Sequence, residues 1–159
     1  MTLDVEILPA DVSDAPAILA LQKLAFRTEA RLYGDWSIPA LKKTLDDIRA
    51  EFLFKIFLKA VLGDSIVGSV RAELEESTCA VGGLIVHPDY RRRGIGMRLM
   101  QAIETMFPSA ERFELFTGER SEGNLKLYSR LGYGVFRKES LSPKVGMVFM
   151  EKRRAVLRT

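Results

Sequence analysis

Polar and apolar residues alternate at the start of the chain. Leu3, Val5 and Ile7 are set against Asp4 and Glu6, the period of a strand, which Pro9 ends. Ser13 or Asp14 can then cap a helix with Pro16 in its first turn and Ile18, Leu21, Leu24 and Ala25 as its apolar stripe. A polar loop dotted with aromatics follows through Tyr33 and Trp36, and Ser37 can cap a second helix with Pro39 early in it, running through Leu41, Leu45 and Ile48. The period then shortens. Lys55–Leu62 and Ile66–Leu74 read as strands joined by a Gly63-Asp64 turn, and Glu75-Glu76-Ser77 turns into Cys79–Val86. That last run is almost wholly apolar, as a central strand should be, and Pro88 stops it. From Ile95 the spacing is helical again through Leu99, Ala102, Ile103 and Met106, up to Pro108. Phe113–Thr117 predicts a strand, Asn124–Leu131 a short helix with Gly132 as its left-handed cap, and Val135–Lys138 and Val145–Met150 two closing strands. The order β-α-α-β-β-β-α-β-α-β-β describes a mixed α/β sheet in one layer with helices against it.

Length and composition narrow the function. The chain has 159 residues, enough for one domain (1–159) with a real core, and 47% apolar with 28% charged residues is an ordinary globular balance. One cysteine, Cys79, excludes an intramolecular disulfide, and its place in an apolar run predicts a buried, inert thiol. One Cys and one His cannot build a usual zinc site, so no metal is expected. The only histidine, His87, is followed by Pro88 and is expected to be structural rather than part of a serine triad. Met1–Asp14 carries four acidic residues and no apolar core, unlike a signal peptide. The most apolar stretch, Phe52–Leu62, is short and holds Lys55 and Lys59, so no membrane partner is expected and the cytoplasm is the expected location. Net charge is +3, with basic clusters at Arg91–Arg93 and Lys152–Arg154. The second reads as a solvated tail. No basic face runs along a helix, which argues against a nucleic-acid partner.

The most informative segment is residues 84–98. The apolar Leu84-Ile85-Val86 runs into His87-Pro88-Asp89-Tyr90, then the basic turn Arg91-Arg92-Arg93-Gly94, then the helix beginning Ile95-Gly96-Met97-Arg98. The first amides of a helix have no intrahelical partner and lie at the positive end of its dipole, so this is an anion site. Gly94 and Gly96 would let a phosphate approach the backbone, with the three arginines adding charge. No Lys-Ser or Lys-Thr follows, which excludes a Walker A loop. Leu99 stands where a dinucleotide fingerprint needs its third glycine.

The pattern Arg91-x-x-Gly94-x-Gly96 resembles the signature of the Gcn5-related N-acetyltransferase (GNAT) family. A second segment, Ser121 to Tyr133 with Tyr128 four residues before Gly132, is similar to that family's later helix, and the element order agrees along nearly the whole chain. The resemblance implies a mixed, mostly antiparallel sheet with splayed central strands, flanked by about four helices. It implies acetyl-CoA as co-substrate. Its pantetheine arm would lie against Leu84, Ile85 and Val86, and its pyrophosphate on the amides of the turn from Arg92 and Arg93 through Gly94, Ile95, Gly96 and Met97, with Arg91 adding charge nearby. Tyr128 would protonate the departing thiolate. Many relatives carry an asparagine seven residues before that tyrosine; Ser121 stands there in this chain, while Asn124, on the same helix face as Tyr128, is the candidate cofactor contact.

Acetyl transfer needs a neutral amine. A lysine-like amine is roughly 0.04% neutral at pH 7, so deprotonation costs about 4–5 kcal/mol, and a base is required. The fourth strand has no carboxylate, where many relatives place a glutamate. Glu73 on the preceding strand and Glu29 or Asp35 in the first helix and loop are the candidates, beside a water chain with no dedicated base. Phe26, Tyr33 and Trp36 could line the acceptor pocket or pack in the core. The expected activity is transfer of acetyl to a primary amine of a small molecule, a protein N-terminus or a lysine; the alternative is a non-catalytic acyl-CoA-binding regulatory module. The resemblance also allows a homodimer.

Overall fold

The computed structural model describes residues 4–154. Seven strands form one sheet: β1 (Glu6–Pro9), β2 (Ile56–Leu62), β3 (Ser65–Glu75), β4 (Thr78–Val86), β5 (Arg112–Gly118), β6 (Gly134–Ser140) and β7 (Gly146–Arg153), in the order β1-β2-β3-β4-β5-β7-β6. All neighbours are antiparallel except β4 and β5. Five helices accompany them: α1 (Ala15–Tyr33), α2 (Pro39–Lys42), α3 (Leu45–Glu51), α4 (Ile95–Thr105) and α5 (Glu122–Arg130). Of the expected first strand, Leu3 lies outside the described residues.

The main core lies between the sheet and α4, where Leu99, Met100 and Ile103 pack on Val70, Ala72, Cys79 and Phe113. On the opposite face Ile18, Leu21 and Ala25 of α1 join Ile48, Phe57 and Ile85. Cys79 is fully buried, and burial with the nearby Glu104 carboxylate pushes its thiol up to about 12. It is the inert core thiol expected.

Three expectations change. The first helix does not yield to a loop after Ala25 but runs to Tyr33, where Gly34, at φ +62, closes it. The expected second helix is two. Lys43 is extended, and Thr44 with Asp47 forms a capping box that starts α3 afresh. Lys152–Arg154 is no solvated tail. Lys152 and Arg153 belong to β7, Lys152 pairs with Glu104 at 2.6 Å, and Arg154 donates to the carbonyls of Glu104, Phe107 and Pro108 at the end of α4. Among the described residues no helix is long and apolar enough to cross a membrane.

Candidate active site

β4 and β5 pair only through Thr78–Ala80 with Arg112–Glu114. Beyond Ala80 they part, and residues 81–86 have no strand partner on that side among the described residues. On its other side β4 carries a bulge: Ser69 pairs with Ile85 and Arg71 with Gly82, two steps along β3 against three along β4. A cavity of about 960 Å³ opens where the strands separate. Leu84, Ile85 and Val86 form its floor; the turn into α4 and the start of α5 form its rims; Ala25, Phe26, Glu29 and Leu32 of α1 cover it.

The turn leaves backbone donors unpartnered at the cavity. Gly94 caps α4 with φ +80 and no side-chain cap is present, so the first intrahelical bond runs from Arg98 N–H to the Gly94 carbonyl, 3.0 Å. The amides of Ile95, Gly96 and Met97 are left without intrahelical partners, and all three residues line the cavity. Gly94 is needed for its left-handed backbone. Gly96 also has a packing role that its spacing did not suggest: a Cβ there would meet Leu127 Cδ2 at 3.2 Å, so the glycine lets α5 approach α4.

The three arginines separate. Arg91 lines the cavity but spends its guanidinium on α1, donating to Thr28 Oγ1 at 3.2 Å and the Ala25 carbonyl at 3.1 Å. Arg92, itself at φ +63, lines the cavity; Arg93 is exposed and does not. Two cations that the sequence did not single out, Lys126 and Arg130, stand four apart on the α5 rim. Free amides, flanking cations and a strand with one unpaired edge fit a coenzyme A: diphosphate on the turn, amide-bearing arm along the strand.

At the far end Glu29 lines the cavity and accepts a hydrogen bond from Ser121 Oγ at 2.7 Å. Tyr128 is buried beneath the lining, with its ring 6.0 Å from that of Tyr133. Burial first, then the Glu29 carboxylate, pushes its phenol well above the usual range, so it stays protonated at neutral pH. Asn124 lines the cavity and donates to Thr117 Oγ1 at 3.4 Å. The structure does not bring Glu73 to the cavity; it sits half-buried on β3 opposite Ala80. Asp35 is held by Ser37, whose hydroxyl and amide lower its carboxyl, and lies outside the lining as well. Phe26 lines the cavity, Trp36 is exposed, and Tyr33 is buried with its hydroxyl accepting from the Arg120 amide at 2.6 Å. His87 uses Nδ1 to accept from the Asp89 amide, which caps the 3-10 turn Pro88–Tyr90.

A profile of the Acetyltransferase (GNAT) family matches residues 17–133, a span that holds the split strands, the uncapped helix and Tyr128. The chain belongs to the GNAT family. UPF0157 protein YqkA of Bacillus subtilis (strain 168) is 31% identical to it over 119 residues, 75% of this chain. The chain spans about a third (34%) of that relative's length. Among solved structures, PaiA N-acetyltransferase from Thermoplasma acidophilum in complex with coenzyme A superposes with a TM-score of 0.80 at 16% identity, covering 96% of this chain and 100% of that one. The ribosomal-protein-S18-alanine N-acetyltransferase from Escherichia coli gives 0.79 at 12% identity, covering 97% and 96%. These likenesses establish the GNAT fold, a mostly antiparallel seven-stranded sheet with flanking helices. Within that fold, the position where many GNAT members carry asparagine is occupied by Ser121, whose hydroxyl is engaged by Glu29 across 92 residues of sequence.

Proposed function

We propose that this GNAT chain is an acetyl-CoA-dependent N-acetyltransferase that acts on a primary amine of a small molecule or peptide. One observation carries the reading: a single cavity joins an uncapped helix N-terminus, the unpaired edge of β4 and the Glu29 carboxylate. The amides of Ile95, Gly96 and Met97 hold the pyrophosphate, with Arg92, Lys126 and Arg130 adding charge. Backbone groups of Leu84 and Val86 align the pantetheine arm, with Ile85 between them. The bound acetyl-CoA supplies an activated acyl group on sulfur.

Glu29 is the base. It takes a proton from the incoming ammonium, directly or through one water, so that the nitrogen lone pair attacks the acetyl carbon. As the carbon–sulfur bond breaks, Tyr128 gives its phenolic proton to the sulfur and regains one from the nitrogen, which sheds its second proton as the amide forms. Burial raises the Tyr128 pKa, so the phenol is neutral at rest but a weak acid, and the return of the nitrogen's proton must accompany the transfer. Phe26 and Leu32, on the same helix as Glu29, form an apolar approach that screens the amine from water.

The test is direct. Coenzyme A or acetyl-CoA at millimolar concentration raises the thermal unfolding temperature, and an amine panel releases free thiol. No thermal shift would sink the reading. Cofactor binding without turnover on any amine, and unchanged by Glu29→Gln, would replace it with the non-catalytic acyl-CoA module.

A further inference from the structure

Beneath the cavity floor lies a buried polar cluster that the chemistry above does not use. Arg71 of β3 is 6% exposed, Glu51 of α3 7% and Gln22 of α1 1%. Arg71 Nε pairs with Glu51 Oε1 at 3.1 Å, and Nη2 donates to Gln22 Oε1 at 3.1 Å. Gln22 Nε2 in turn donates to the Ala40 carbonyl at 3.0 Å. The Arg71 Cζ stands 5.3 Å from the Phe57 ring centroid. Burying a charge at such a site is costly, and a hydrophobic set of similar volume would commonly be as stable. The cluster is therefore a weak stability device and invites another explanation.

That explanation is Gly83. It sits in the β4 bulge at φ +61, and a Cβ on it would lie 2.7 Å from Arg71 Cζ, 2.8 Å from Nε and 2.9 Å from Nη1. The guanidinium plane thus presses on the bulge itself, one residue before the cavity floor begins at Leu84. Nη1, on the bulge side, has no hydrogen-bond partner among the described residues. The guanidinium is held from three sides: Nη2 by α1, Nε by α3, and its face against β4.

We propose that Arg71 is a positioning residue for the acyl donor. Clamped by Gln22 and Glu51, it buttresses Gly83 and fixes the bulge that turns the backbone of Leu84 toward the cavity. Strand pairing cannot do this alone, because β5 has already left β4 and the extra residue is unpaired on β3. The inference rests on the coenzyme A reading of the cavity.

The experiment separates the arm from the diphosphate. Titration calorimetry compares coenzyme A with 3′-phosphoadenosine 5′-diphosphate, which keeps the diphosphate but lacks the pantetheine arm, on wild type, Arg71→Lys and Gln22→Met. Lysine keeps the charge beside Glu51 but has no planar face. Arg71→Lys weakens coenzyme A about tenfold, since a small misplacement of a positioning group is costly, while the affinity for the arm-less diphosphate stays within about twofold. Gln22→Met, which only loosens the clamp, shifts the same ratio by a smaller factor. Thermal melts identify which variants are folded at the titration temperature. Equal loss for both ligands, or an unchanged ratio in a folded variant, would overturn the proposal. Wild type that binds 3′-phosphoadenosine 5′-diphosphate but gains nothing from the arm overturns it too, with the diphosphate site intact. Wild type that binds neither removes the functional reading and this inference with it.

Discussion

The two halves of β4 are made of similar residues and do opposite work. Thr78–Ala80 is paired on both sides, to β3 and to β5, and buries Cys79 completely. Residues 81–86 are just as apolar, yet the strand there is bulged on one side and deserted on the other. A strand paired on both edges can only stabilise. A strand denied one neighbour keeps its amides and carbonyls for a ligand, provided something else holds it in place. α1 and Arg71 provide that hold, α1 from above the cavity and Arg71 from within the sheet.

The contrast can be broken first at its open end. Glu29→Gln keeps a partner for Ser121 but removes the base, and lowers kcat/KM by about a hundredfold to ten-thousandfold. Steady-state rates check it: the rate falls while the melting temperature stays near wild type. Tyr128→Phe removes only the proton donor, and the fall, on the order of a hundredfold, is largest for donors with a poorly departing thiolate. Measured coenzyme A affinity stays constant in this variant. An unchanged rate would remove Tyr128 from the chemistry.

The closed end responds in stability instead. Cys79→Ala costs on the order of 1–2 kcal/mol for the lost buried volume, read by denaturant titration, with kcat unchanged. Its thiol, raised to about 12 by burial, stays protonated below that pH; at pH 8 only about one part in ten thousand is thiolate. Iodoacetamide therefore leaves the native protein unmodified and labels it only after unfolding. Glu73→Gln, on β3 opposite Ala80, is expected to do least. Its rate stays within about twofold, and a larger loss would return Glu73 to the list of bases.

Much of this architecture was legible because it is local. The period of Cys79–Val86 marks a central strand, and the run from Arg91 to Met97 marks a helix start with an anion in view. The break between α2 and α3 was legible too, since Thr44 and Asp47 spell a capping box, but the continuous stripe Leu41, Leu45, Ile48 masked it. Gly82-Gly83 inside a strand is likewise a bulge signal. What a linear reading could not supply is long-range. Glu29, unlike Glu73 and Asp35, is brought to the cavity by a helix that continues past Ala25, and is bonded there by a hydroxyl 92 residues away. Arg91 is diverted to α1 across more than 60 residues. Neither partnership leaves any trace in the residues next to it.

The clamp of Arg154 on the end of α4 has a consequence for how the molecule is made. Its three bonds span 46 to 50 residues. During synthesis the helix whose first turn forms the anion cradle emerges long before the arginine that satisfies its last carbonyls. At about 5–20 residues per second, α4 waits several seconds on the ribosome with that end unsecured. The final strand therefore completes both the sheet and the helix, and a chain stalled before residue 154 would expose a cradle whose far end is still frayed.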